Sequence, residues 1–153
     1  MKSSLKTAAN TIKARVSTFV FLVFIAFLAA SCSKELKAGE PISLIYDKAY
    51  LIGDASPAGW TIANAVPMLK GTDPYIFTWT GPLKAGEIKF PTATSFSSDT
   101  FAAATQGQTI TNNKAQLSAS GNPDVKWKLA STDAGTYKIT LNTQTLTVDF
   151  QKQ

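Results

Sequence analysis

Hydrophobic and polar positions divide the chain into three stretches. Phe19 to Ala30 is an unbroken apolar run of twelve residues, preceded by Lys2, Lys6, Lys13 and Arg15 and by no acidic residue. A hydrocarbon core about 30 Å thick takes roughly twenty helical residues, so this run is too short to span one. A basic start, a short apolar run and then small residues (Ala29, Ala30, Ser31) form the pattern of a secretory signal. Residues 33–43 are polar and read as a tether.

From there on the periodicity is that of strands. Tyr50 to Ile52 is a short apolar strand stopped by Gly53-Asp54. Tyr75 to Thr80 alternates, with Tyr75, Phe77 and Trp79 on one face, between Asp73-Pro74 and Gly81-Pro82. Glu87 to Phe90 follows the turn Lys84-Ala85-Gly86 and stops at Pro91. Val125, Trp127 and Leu129 alternate with Lys126 and Lys128, Tyr137, Ile139 and Leu141 with Lys138 and Thr140, and Leu146, Val148 and Phe150 with Thr147 and Asp149. Asn142-Thr143-Gln144 joins the last two strands as a hairpin. Residues 92–124, rich in Ser, Thr, Ala, Asn and Gln, read as weak strands or long loops. No segment sustains a 3.6 period and no internal repeat is visible. Short strands with frequent turns predict an all-β chain folded as an antiparallel β-sandwich. Without the first 31 positions 122 residues remain, enough for one core that buries roughly two-thirds of the unfolded surface.

Charge changes meaning once the first stretch is set aside. The chain has 15 basic and 10 acidic residues, a net charge of +5. Removing the four basic residues of the leader leaves eleven against ten, about +1. A nucleic-acid partner loses its electrostatic support.

Cys32, the single cysteine, follows the small residues directly, so no intramolecular disulfide can form. The stretch Ala29-Ala30-Ser31-Cys32 resembles the lipobox of bacterial lipoproteins, with Leu28 one place earlier than usual. The resemblance implies that Cys32 is acylated and becomes the mature N-terminus. Two or more acyl chains anchor a protein stably to a membrane face, each buried CH₂ contributing about 0.8 kcal/mol. Three segments are expected: a signal peptide over 1–31, an acylated cysteine and tether over 32–44, and a β-sandwich over 45–153. Ser33-Lys34-Glu35 loosely resembles the export tag of surface lipoproteins in glycan-foraging Gram-negative bacteria.

The residues offer little for catalysis. There is no histidine, which excludes Ser-His-Asp and Cys-His chemistry and imidazole zinc sites. Glycoside hydrolysis needs two facing carboxylates, and the ten acidic residues form no recognisable constellation; Asp54, Asp73, Asp124 and Asp133 sit beside turns and read as turn formers. No phosphate-binding glycine loop is present: Gly53 and Gly59 lack the Lys-Ser/Thr that would follow. No cofactor or metal is expected. Trp79 and Trp127, in strict alternation, read as core. Trp60 differs, because it follows the loop Ser56-Pro57-Ala58-Gly59 and precedes polar Thr61. An indole there suits a sugar: its negative face receives the slightly positive C–H face of a pyranose, and polar side chains around it read the hydroxyls.

Tyr50 through Trp60, Pro67-Met68, Phe77-Thr78-Trp79-Thr80-Gly81, Leu83 through Phe90, and Gly135 through Leu141 together resemble the glycan-binding modules of the SusE/SusF outer-membrane lipoproteins of starch-utilisation systems. The similarity covers about residues 48–151. It implies an immunoglobulin-like, carbohydrate-binding-module-like sandwich that holds α-glucan at the cell surface without hydrolysing it. By motif, the family's loop tryptophan falls on Trp60 and its strand lysine on Lys89. Its acidic or amide residue falls on Asp124 or Asn122, in the stretch Asn122-Pro123-Asp124-Val125-Lys126-Trp127. Phe96 and Phe101 are candidates for further aromatic contacts. Family members usually carry two or three modules, whereas this chain has one. The implied partners are an α-glucan, the membrane through the lipid anchor, and an outer-membrane transporter complex. The competing reading is a lipid-anchored sandwich that binds a protein partner or another glycan, with Trp60 as the interface anchor.

Overall fold

Among residues 44–153, which the computed structural model describes, every regular element is a strand or a three-residue turn of 3₁₀ helix. The expected signal segment 1–31, and Cys32 with the expected tether up to residue 43, lie outside the described residues. In chain order the strands are β1 (Tyr50–Leu51), β2 (Val66–Pro67), β3 (Leu69–Lys70), β4 (Ile76–Leu83), β5 (Gly86–Ile88), β6 (Phe90–Pro91), β7 (Thr100–Ala103), β8 (Gln108–Thr109), β9 (Ala115–Ser118), β10 (Trp127–Leu129), β11 (Gly135–Asn142) and β12 (Thr147–Lys152).

The strictest alternation makes the longest ladder. β4, β11 and β12 lie side by side, with β3 at the edge, in the order β12-β11-β4-β3. Register puts Phe77 opposite Leu141 and Trp79 opposite Ile139, with Leu141 in turn opposite Val148. These side chains share the inner face, and Thr78, Thr140 and Asp149 share the outer one, as period-two geometry requires. β4 runs through the expected stop at Gly81-Pro82 and ends at Leu83. β3 pairs only with Phe77 and Thr78, so Pro82 needs no ladder hydrogen bond on that side.

Two further sheets, β5-β10-β8 and β6-β7-β9, and the small pair β1-β2 complete the all-β sandwich. Every pairing is antiparallel except β8 with β10. The stretch 92–124 contains three of these strands. All four residues of β7 are buried, so both faces are covered and no alternation shows in the sequence. Side chains from all the larger sheets meet in one core, around Trp127, Phe77, Phe90, Phe101, Ile139 and Leu141, each fully buried. Trp127 lies edge-on to Phe90, and its Nε1–H donates to the Asn112 carbonyl at 3.2 Å, which satisfies the indole's one polar group. Trp79 is half-buried against this core.

The expected strand Glu87–Phe90 is split. Ile88 pairs with Trp127 of β10, while Phe90 pairs with Phe101 of β7. Lys89, between them, forms a two-way backbone bridge with Ile52: the Ile52 N–H donates to the Lys89 carbonyl at 3.1 Å and the Lys89 N–H to the Ile52 carbonyl at 2.9 Å. The chain thus passes from one sheet to the next at Lys89. That crossing buries a lysine that strand alternation alone would leave in solvent.

Candidate functional site

The Ile52–Lys89 bridge also roots the loop that carries Trp60. The Gly53 N–H donates to the Gly59 carbonyl at 2.9 Å, closing the loop at its neck. Inside it, the Ser56 hydroxyl donates to the Gly53 carbonyl at 2.8 Å and accepts from the Ala58 N–H at 3.3 Å. Gly53 has φ +136°, and a Cβ there would overlap the Glu87 carbonyl, so no other residue fits without displacing backbone. Asp54 lies in a turn, but its carboxylate bonds across the fold rather than within that turn, accepting the Glu87 N–H at 2.6 Å. Trp60 leaves this stapled loop half-buried.

Trp60, Lys89, Phe96, Gly121, Asp124 and Lys126 line an open hollow of about 450 Å³, within the size range of ligand sites. The Lys89 ammonium donates to Asp124 Oδ1 at 2.7 Å. It also stands 5.9 Å from the centre of the Trp60 ring and 5.4 Å from that of Phe96. The Lys126 ammonium donates to Asp124 Oδ2 at 2.8 Å and stands 5.7 Å from the Trp60 ring. All three cation–ring distances are within the reach of the ring quadrupole. Burial alone pushes the Asp124 carboxyl pKa up, but hydrogen bonds and charge from Lys126 and Lys89 outweigh it and hold the group below the ordinary carboxylate value.

The structure therefore brings Trp60, Lys89 and Asp124 together, from positions spread over 65 residues of chain. Asn122, the other candidate for the third position, does not line the hollow. It is exposed, and its backbone N–H caps the preceding 3₁₀ turn at the Ala119 carbonyl. Asp124 is not a turn former, since both carboxylate oxygens are taken by lysines. Of the two further aromatics, Phe96 joins the hollow and Phe101 does not: Phe101 is fully buried, edge-on to Tyr46 at 5.3 Å.

Two lining residues escape a reading by alternation. Lys126 falls on a polar position before β10 and looks like a solvated lysine. Its spacing of two from Asp124 is the signal that could have placed them on one side of an extended chain. Gly121 has φ +75°, and a Cβ there would overlap the Phe96 carbonyl, so it lets the Phe96 loop approach. That loop is pinned by Asp99, whose carboxylate accepts from the Tyr46 hydroxyl at 3.1 Å and the Ser120 N–H at 3.0 Å. Among the described residues no cluster of acidic or sulfur ligands is placed to hold a metal ion.

Two aromatic faces beside fixed donors and an acceptor, set on a β-sandwich, are the equipment of a carbohydrate-binding module. The family model of the SusF/SusE starch-specific carbohydrate-binding modules matches residues 48–149, and the chain belongs to this family. No curated protein and no solved structure matches the chain.

Proposed function

We propose that this protein is a cell-surface lipoprotein that binds α-glucan without cleaving it and serves a glycan-uptake system. The observation that carries the reading is the convergence of Trp60, Lys89 and Asp124 in one hollow. A glucose ring stacks on Trp60, with Phe96 offering a second apolar wall. Lys89 and Lys126 donate to ring hydroxyls and Asp124 accepts from them. Among the described residues Asp124 is the one carboxylate lining the hollow, and glycoside hydrolysis takes two that face each other, which supports capture without cleavage.

The basic leader, the apolar run and the lipobox-like stretch ending at Cys32 support acylation there and an outer-membrane location. A tethered module gains by density, because neighbouring copies turn a second contact with the same polymer into a local event. A neighbouring transporter or hydrolase would receive the captured glycan.

The test is native affinity electrophoresis of the full chain in mild detergent, with and without amylopectin in the gel. Retardation that disappears in Trp60→Ala supports the reading. Retardation unchanged by Trp60→Ala would show that the sugar is held elsewhere, and no retardation across a panel of α-glucans would overturn the function.

A further inference from the structure

Charge in the hollow does not balance. Two ammonium groups converge on one carboxylate, at 2.7 Å for Lys89 and 2.8 Å for Lys126, and among the described residues no other charged side chain lines the space. The surplus is one positive charge. It is poorly hydrated, because the Lys89 side chain is only 5% exposed and that of Lys126 only 16%. A neutral sugar laid over the hollow replaces water on that surplus with hydroxyl acceptors but returns no opposite charge. A ligand that brings an anion of its own adds a charge-assisted contact.

Donor geometry narrows the kind of anion. Each ammonium has three hydrogens. Lys89 spends one on Asp124 Oδ1, and Lys126 spends two, on Asp124 Oδ2 and on the Asp124 carbonyl at 3.1 Å. Two hydrogens of Lys89 and one of Lys126 are left for a ligand. A phosphate monoester has three strong acceptor oxygens and about −1.5 to −2 charge, so each of the three donors meets an oxygen of its own, whereas a carboxylate's two oxygens would have to share them.

We propose that the hollow prefers an α-glucan carrying a phosphate monoester over the unmodified polymer, with Lys89 and Lys126 taking the phosphate oxygens beside the glucose stacked on Trp60. The preference rests on the glucan-binding reading above and adds an anionic substituent to it. Asp124 remains the acceptor for a sugar hydroxyl and keeps the two ammonium groups apart and oriented.

The experiment compares the full chain, in mild detergent, in native gels containing one amylopectin rich in phosphate monoesters and the same amylopectin after enzymatic dephosphorylation. The phosphorylated polymer is expected to bind about fivefold more tightly at low salt, which is about 1 kcal/mol at 1.4 kcal/mol per factor of ten. The ratio should fall towards one in 0.5 M NaCl, where the screening length is only a few ångströms. It should also fall towards one in Lys126→Gln and be kept in Lys126→Arg. Phosphorylated dextran, with the same anion on a different linkage, should be retarded less than phosphorylated amylopectin. Equal retardation by the two amylopectins overturns the preference and leaves glucan binding standing. No retardation by either overturns the glucan reading and the preference with it. Equal retardation by phosphorylated dextran and phosphorylated amylopectin reduces the effect to non-specific ion pairing and also overturns it.

Discussion

Asp124→Ala removes the only carboxylate among the described residues that lines the hollow beside Lys89. Breaking a fully buried ion pair from one side costs about 3–5 kcal/mol, because a charge is left unpaired. A fully exposed pair is worth only about 0–1 kcal/mol. Here the Lys89 end is 5% exposed and the Asp124 end 55%, so solvent screens one end, and the expected loss is about 2 kcal/mol. For a domain of about 110 residues that corresponds to a fall in Tm of about 8 °C. Asp124→Asn keeps an acceptor but not the charge and should lose about half as much. The assay is thermal and urea unfolding from pH 7 to pH 3, with the urea m-value unchanged. The sign follows from the lowered pKa: between the folded and unfolded values the unfolded chain binds the extra proton, so stability rises with pH. The pair's contribution is complete above the unfolded value, near 3.8, and is lost as pH falls through the lower folded value. The gap between wild type and Asp124→Ala should thus be constant from pH 7 to about 5 and shrink below about 4. Equal midpoints at pH 7, or a gap unchanged down to pH 3, would refute the coupling of Asp124 to the buried lysine.

Three more outcomes are expected. Trp60→Ala should leave the unfolding midpoint within about 1 kcal/mol of wild type while abolishing retardation by amylopectin, whereas Trp127→Ala should cost about 3–5 kcal/mol through cavity formation, both read by urea unfolding. Gly121→Ala, strained at φ +75° and overlapping the Phe96 carbonyl, should displace the Phe96 loop and weaken amylopectin retardation several-fold with a smaller loss of stability, about 1–2 kcal/mol. Burial first, and then the hydrogen bond and charge of Asp99, push the Tyr46 hydroxyl pKa up to about 12. A raised folded pKa means that its contribution is complete below the unfolded value near 10 and is lost as pH rises towards 12; Tyr137 is also raised, by burial and then the charge of Asp133, so a tyrosinate absorbance titration should lose the step near 12 in Tyr46→Phe and keep that of Tyr137.

The sandwich was legible where one face of a strand meets the core and the other meets water. β11 follows alternation residue by residue, but the hairpin falls later than expected: Asn142 is still in β11, the turn runs over 143–146, and Leu146, expected to begin the last strand, sits in the turn at φ +53°; the Asn142 side chain accepts the Gln144 and Thr145 N–H groups. β7 was not legible, because Thr100 to Ala103 are buried on both sides and carry no polar rhythm. β4 outran its expected end because Gly81-Pro82 breaks a central strand but not one whose neighbour has already stopped. In the site, Trp60 was visible from its loop and Lys89 only through the family resemblance, since a lysine buried at a sheet crossing looks local and solvated in sequence. Lys126 and Gly121 were not visible, since their roles depend on partners reached only through the fold: the Trp60 face for Lys126 and the Phe96 loop for Gly121.

The crossing at Lys89 divides labour within the hollow. Its floor is part of the framework: the backbone of Lys89 bridges to Ile52 at the root of the Trp60 loop, and its side chain is buried and paired with Asp124, so a change of residue there is felt as a change in folding. The walls hang on connections instead. Phe96 stands in a serine-rich loop, and Lys126 on the lead-in to β10. Diversity in what the module grips can therefore accumulate around residues 93–98 and at 126 with the architecture held constant. A library that randomises those positions and spares Lys89, Gly53 and Gly121 would explore ligand preference while most of its members still fold.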